Sequence, residues 1–237
     1  MLIWWVRHGQ NVANVTGTLS HRVFDGDLTE LGREQAHGLG EQLRDYVTGR
    51  GTVGIAPASM AAVSTGLPPV DMQLGTESPP AHRPVVLVCS PLRRARQTAE
   101  ILSPYLGLAV SAELEDLREV NVGQLDGRSD AKSVRQYEAV IEAWRAGRAG
   151  ERFPGGEDRA ELSSRLARGL SEVCGLGGRG PAVVVAHGAN IRAALPDLAG
   201  VDDPGFDLPT GSCAEFDATL DGGRLRLTVR AWPLDLA

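Results

Sequence analysis

Leu2-Ile3-Trp4-Trp5-Val6 runs directly into Arg7-His8-Gly9, and two later stretches repeat the plan. Val85-Val86-Leu87-Val88-Cys89 runs into Ser90-Pro91-Leu92-Arg93-Arg94, and Ala182-Val183-Val184-Val185-Ala186 into His187-Gly188. Each apolar run has strand length and is apolar at consecutive rather than alternating positions. That pattern predicts strands covered on both faces, as in a sheet flanked by helices.

The stretches between these runs have helical spacing. Leu39, Leu43 and Val47 recur at four, with Thr29 placed as an N-cap. Leu92, Ala95, Ala99, Leu102 and Leu106 mark a second helix, and Val134, Tyr137, Ile141 and Trp144 a third. Leu162, Leu166, Leu170 and Val173 mark a fourth, opened by Asp158 and Glu161 as a capping box. Ile191, Leu195 and Leu198 continue the logic after the last apolar run, until Pro196 and Gly200 weaken it. Near the end, Cys213–Phe216 and Leu225–Trp232 alternate around Asp221-Gly222-Gly223, which predicts a hairpin. The expected fold class is α/β, a three-layer α/β/α sandwich with a mostly parallel central sheet and a C-terminal hairpin.

Length and composition fit one domain over residues 1–237, interrupted by an insertion at about 49–84 rich in Gly, Pro, Ser, Thr and Ala. The insertion would join the first long helix to the second strand at the sheet's amino edge, opposite any site at the carboxyl edge. A catalytic lid is therefore not expected of it. The formal charge of -6, with no Lys/Arg-rich block, argues against a nucleic-acid partner. The apolar start is too short for a signal peptide or membrane span, and no longer run follows. Cys89, Cys174 and Cys213 are widely spaced and odd in number, which fits buried thiols in the cytoplasm better than a disulfide framework.

In open α/β sheets ligands bind at the carboxyl ends of strands, where helix N-termini offer unpaired N–H groups. Taken singly, a histidine after a strand or an arginine at a helix start is ordinary loop chemistry. Two histidines and several arginines at three such ends predict one convergent, anion-seeking pocket. No third ligand is spaced to complete a zinc site with the histidines, so neither a metal nor another cofactor is expected.

The residues at these ends resemble the motifs of the histidine phosphatase superfamily, in its phosphoglycerate-mutase-like branch. Arg7-His8-Gly9 with Asn14 is similar to the opening motif, and Leu28-Thr29-Glu30-Leu31-Gly32 with Gln35-Ala36 to its continuation. Ser90-x-Leu92-x-Arg94-Ala95-x-x-Thr98-Ala99 resembles the second motif, and Leu117-Arg118-Glu119 with Gly123 and Asp126-Gly127 the third. Pro154-Gly155-Gly156-Glu157 and Ala186-His187-Gly188 complete the set, in order.

The resemblance implies a metal-independent phosphatase acting on a small phosphorylated metabolite through a phosphohistidine on His8. It implies that Arg7, Arg94 and His187 clamp the phosphoryl oxygens, that Asn14 and Gly188 add phosphate-binding donors, and that Glu119 is the acid and base. These roles suit the chemistry. A neutral imidazole is a competent nucleophile toward phosphorus, and fixed donors stabilise the transferring group. The first loop departs from the family's Gly-Arg-x-Gln-Gly and reads Thr18-Leu19-Ser20-His21-Arg22, making His21 and Arg22 candidates for substrate specificity. Ala189 stands where mutases of the branch place Asn. Two alternatives remain: phosphoglycerate-mutase-type transfer, and a phospho-ligand-binding module without turnover.

Overall fold

A computed structural model describes residues 1–48, 84–178, 180–202, 207–234 and 236. The expected insertion, apart from Pro84, and the expectation about its position lie outside the described residues.

The elements follow the alternation of the sequence: β1 (Leu2–Arg7), α1 (Val12–Thr16), α2 (Glu30–Val47), β2 (Val86–Cys89), α3 (Arg93–Leu106), β3 (Val110–Glu113), α4 (Ala131–Arg145), α5 (Arg159–Gly177), β4 (Ala182–Ala186), α6 (Gly188–Leu198), β5 (Cys213–Asp221) and β6 (Arg224–Ala231). Among the described residues the strands form one sheet in the order β3-β2-β4-β1-β5-β6. β3, β2, β4 and β1 pair in parallel, whereas β5 and β6 add antiparallel. Helices lie on both faces, and the sandwich expected from the apolar runs is the observed fold.

The consecutive apolar positions are explained by what covers each face. Trp4, Val6, Leu87, Cys89, Val183 and Val185 pack with Leu39, Leu43 and Val47 of α2 and Ala95, Ala99 and Leu102 of α3. The alternate residues Ile3, Trp5, Val86, Val88 and Val184 pack with Leu162, Leu166, Leu170 and Val173 of α5 and Ile191 and Leu195 of α6. Both sides of β1, β2 and β4 are therefore core, and no polar position is needed on either.

Local signals also hold where they are used. The Thr29 hydroxyl accepts the Gly32 N–H at 3.1 Å, and Asp158 and Glu161 form the reciprocal capping box of α5. Gly222 and Gly223 both take positive φ in the two-residue turn between Asp221 and Arg224, as a tight hairpin of this type requires.

Three details differ from expectation. α6 runs through Pro196 to Leu198, because Ile191, Ala194, Leu195 and Leu198 are buried and tertiary packing outweighs the lost backbone bond. On α4 the buried face is Ser133, Val140, Ala143 and Trp144, with Tyr137 and Ile141 only partly buried. Phe153 draws that face round, stacking on Tyr137 at 5.5 Å and meeting Trp144 edge-on at 5.3 Å. β3 carries no strand signal in the sequence, since its four residues Val-Ser-Ala-Glu lack the continuous apolar run of a central strand. Among the described residues, no helix is long and apolar enough to cross a membrane.

The N-terminus of α2 packs directly against the loop that follows β1. A Cβ on Gly9 would lie 2.1 Å from the Gly32 carbonyl oxygen, and one on Gly32 would lie 1.9 Å from that of Gln10. Gly32→Ala is therefore expected to cost about 1–3 kcal/mol in denaturant unfolding, as overpacking does. Gly38→Ala, on the same helix with nothing within 4 Å of the added methyl, should instead stabilise by about 0.5–1 kcal/mol. Equal stability of wild type and Gly32→Ala would show that the two backbones do not meet as described.

Candidate active site

Register brings the chemistry together. Arg7 pairs with Ala186 across β1 and β4, and Cys89 with Val185 across β2 and β4. The next residues, His8, Ser90 and His187, leave the sheet side by side at its carboxyl edge. The imidazoles of His8 and His187 stand 5.2 Å apart, and His187 Nε2 is 2.8 Å from Ser90 Oγ.

His8 is almost fully buried. Its Nδ1 lies 2.7 Å from the Gly9 carbonyl oxygen, which only accepts, so Nδ1 carries the proton. Nε2 is then the bare nitrogen, and it accepts the Arg94 Nε–H at 3.0 Å. Burial, and next the Arg94 guanidinium, hold the His8 pKa well below the ordinary imidazole value. A neutral, oriented imidazole with its lone pair beside a guanidinium is the result.

Arg94 sits in the first turn of α3 and is 2% exposed. Its Nη1 donates to Ser20 Oγ and its Nη2 to the Ser20 carbonyl, each at 3.0 Å. Thr98, one turn on, accepts the Gly9 N–H at 3.1 Å and donates to the Arg94 carbonyl, fastening α3 to the His8 loop. The adjacent Arg93 turns outward and pairs with Asp27 at 2.7 Å.

Arg7 lies across α6. A Cβ on Gly188 would meet Arg7 Cδ at 2.9 Å and Nε at 3.2 Å, so a side chain there would displace the guanidinium. Arg7 Nη1 donates to the Leu208 carbonyl at 2.5 Å. Arg7 Nε, Asn11 Nδ2 and His187 Nδ1 are buried with no hydrogen-bond partner. Unpaired buried groups cost roughly 1–3 kcal/mol each, so their clustering near His8 marks a place built for acceptor oxygens.

A cavity of about 190 Å³ is lined among others by Arg7, His8, Asn11, Asn14, Arg94 and Glu119, while His187 and Gly188 lie behind its wall. One Glu119 oxygen accepts the backbone N–H of Val120 at 3.0 Å and of Asn190 at 2.8 Å, leaving the other for a proton. Burial raises the Glu119 pKa, against the opposing pull of Arg94, the two N–H bonds and Arg7. Burial likewise keeps His187 neutral.

The histidine phosphatase superfamily model (branch 1) matches residues 3–50 and 73–230. The chain belongs to this superfamily. It is 33% identical over 117 residues to the uncharacterized phosphatase PhoE of Bacillus subtilis, a match covering 49% of this chain and 54% of that one. The chain thus spans about half the length of that relative. It is 28% identical over 203 residues to the probable phosphoglycerate mutase GpmB of Yersinia enterocolitica, covering 84% and 75%. A mycobacterial glucosyl-3-phosphoglycerate phosphatase superimposes with a TM-score of 0.69 at 23% identity over 99% of both chains. A putative alpha-ribazole-5'-P phosphatase from Escherichia coli gives 0.63 at 20% identity, over 99% of this chain and 96% of that one. Both structural likenesses show a shared fold.

Within this superfamily site, the structure assembles Arg7, His8, Arg94, Glu119 and His187, with Gly188 beneath Arg7. Asn14 lines the cavity, although its Oδ1 is already used to accept the Asn11 N–H at 3.0 Å. His21 and Arg22 are not brought to the cavity wall; Thr18, Leu19 and Ser20 are. His21 is buried, with Nδ1 2.8 Å from the Glu119 carbonyl oxygen, and the Arg22 side chain faces Glu115 at 3.7 Å on the exterior. Asn11 is the residue the motif reading missed. It reads locally as the N-cap of α1, and only the fold shows its amide nitrogen buried and unpartnered on a residue that lines the same cavity as His8. Among the described residues, no group of three or more His, Cys, Asp or Glu side chains is placed to hold a metal ion.

The two adjacent arginines are separable by experiment. Arg94→Ala removes a buried donor from His8 and is expected to lower turnover on the order of 10²–10³-fold. Arg93→Ala removes an exposed charge and should mainly weaken substrate binding, by an amount that fades as salt rises. Steady-state kinetics of both variants at low and high salt checks this. A crippled Arg93→Ala beside a mild Arg94→Ala would reverse the assignment.

Proposed function

We propose that this member of the superfamily is a metal-independent phosphatase that hydrolyses a small-molecule phosphomonoester by way of a phosphohistidine on His8. The observation that carries the reading is the pairing of a neutral His8, its bare Nε2 at the cavity beside Arg94, with a Glu119 whose carboxyl favours its proton. In the first half-reaction Nε2 attacks phosphorus, the ester P–O bond breaks, and the Glu119 proton goes to the leaving oxygen. In the second, Glu119 takes a proton from water as its oxygen attacks phosphorus. The P–N bond breaks, releasing inorganic phosphate and neutral His8. Arg7, Arg94, Asn11 and His187 supply donors to the non-bridging oxygens, whose negative charge they offset in a largely dry site.

The substrate fits the class of small phosphorylated metabolites. A cytoplasmic setting is part of the proposal and is supported by the three free cysteines, Cys89 and Cys213 buried among them. The likeness to a probable phosphoglycerate mutase keeps a second reading in view, in which the phosphohistidine returns its group to bound product. Ala189, at the cavity wall, favours the phosphatase.

Rapid quenching during turnover should trap an acid-labile, base-stable phosphoryl adduct on the wild type, with free phosphate accumulating. His8→Ala should show neither. An active His8→Ala protein would end the proposal, and transfer between two phosphoglycerate positions without phosphate release would establish the mutase instead.

The pH profile follows from the two shifts. The acid must be protonated, so kcat/KM for an alkyl phosphate falls as pH rises through the raised Glu119 value. The nucleophile must be neutral, so kcat/KM also falls as pH drops through the lowered His8 value. The expected optimum lies between the two, and Glu119→Gln should lose the alkaline limb that depends on this proton. Substrate ionisation is common to both proteins and cancels in their ratio. A ratio that does not change with pH would remove Glu119 from the titration.

A further inference from the structure

Glu119 stands on a stretch of irregular backbone between two short 3-10 turns, Glu115–Leu117 and Gly123–Leu125. No sheet or helix holds that stretch, so its carbonyl groups must find partners elsewhere. Arg165 of α5 supplies them. Its Nη1 donates to the carbonyls of Asp116 at 2.9 Å and Arg118 at 2.8 Å, and its Nη2 to the carbonyl of Glu119 at 2.9 Å. The remaining donors go to Glu157, Nε to Oε2 at 2.9 Å and Nη2 to Oε1 at 2.7 Å.

A guanidinium has five N–H groups, and all are used. Glu157, 6% exposed, completes the tie by accepting the Asn121 N–H at 2.7 Å. The pair thus grips the segment on both sides of Glu119, by carbonyls before it and by an amide after it. Asn190 and His21 add bonds at Arg118 and Glu119, but neither spans three carbonyls. Arg165 does not line the cavity.

We propose that Arg165, locked by Glu157, is the positioning residue of the proton donor: it fixes the backbone that aims Glu119 at the leaving oxygen and has no contact with substrate. The inference rests on Glu119 acting as the acid. Proton transfer needs hydrogen-bond reach, and a displacement near 1 Å costs on the order of 10²-fold. The loss should therefore depend on how much the leaving group needs a proton, which a merely structural weakening would not.

The experiment compares kcat/KM, which reports the first half-reaction, for glycerol 3-phosphate and 4-nitrophenyl phosphate. The alkoxide of the first requires protonation, whereas 4-nitrophenolate departs as a stable anion. Arg165→Gln is expected to lose on the order of 10²-fold with the alkyl ester. With the aryl ester its loss should stay within about threefold. Arg165→Lys, which keeps a charge beside Glu157 but not the fork of donors, should show the same selectivity and decides the matter if Arg165→Gln does not fold. Arg168→Gln, on the same helix as Arg165, removes an exposed pair with Asp116 of the first 3-10 turn and should leave both esters within about threefold.

Glu119→Gln separates the two levels of the argument. If it is selective for the alkyl ester while folded Arg165 variants lose equally on both esters, or on neither, the positioning role is overturned. If Glu119→Gln itself loses equally on both, the acid assignment fails first and the positioning role falls with it.

Discussion

The site depends on the in-register parallel pairing of β1, β4 and β2. Because Arg7 lies opposite Ala186, and Val185 opposite Cys89, the strands end within one residue of one another and release His8, Ser90 and His187 at one edge. A slip of one residue would turn every side chain of a strand to the other face. Here both faces are core, so polarity alone does not fix the register; size and shape must. Trp4 and Trp5 fill opposite layers. The Trp5 indole N–H also donates to the His187 carbonyl at 2.9 Å, binding the turn after β4 to the strand beside it. His8 and His187 are thus held by the packing that holds the fold.

A single cause prepares both reacting groups. Burial disfavours the charged form, which lowers the pKa of a histidine and raises that of a carboxyl group. The shift favours the neutral form at both His8 and Glu119. The arginines act unequally: Arg94 reinforces the effect on His8 and opposes it on Glu119, and burial prevails at both. Burial is the leading cause at both groups, a pattern expected of an acid and a nucleophile sharing one pocket.

Much of this was legible in the chain. Continuous apolar runs gave doubly covered strands, Thr29 and Asp158 marked helix starts, and the roughly 100° between successive helical residues separates inward Arg94 from outward Arg93. What was not legible is the work done by residues whose partners are distant in sequence. Asn11 looks like a cap and is one, yet its amide nitrogen matters only because the fold buries it at the cavity without a partner. Arg165 is 46 residues from the Glu119 carbonyl it holds, on a helix face that reads as ordinary amphipathic patterning. β3 is too short and too polar for periodicity to detect. Pro196 misleads for the opposite reason, since a local helix breaker yields to a buried face.

The first loop shows why exposure in sequence is a poor guide to specificity. Its departure from the family pattern draws attention to His21 and Arg22, yet their backbone is tied down. Asp126 accepts the N–H groups of His21, Arg22 and Val23 at 2.9, 2.7 and 2.6 Å. Asp25 accepts the Arg93 N–H at 2.9 Å, and Asp27 accepts from Gln97 at 2.8 Å, so the loop is joined to α3 as well. A loop fastened by three carboxylates to the segments bearing Arg94 and Glu119 is a wall of the site rather than a lid over it. Its inner surface is made by Thr18, Leu19 and Ser20, and Ser20 is already committed to Arg94. Thr18 and Leu19 are the lining residues of that loop whose side chains are not tied to Arg94.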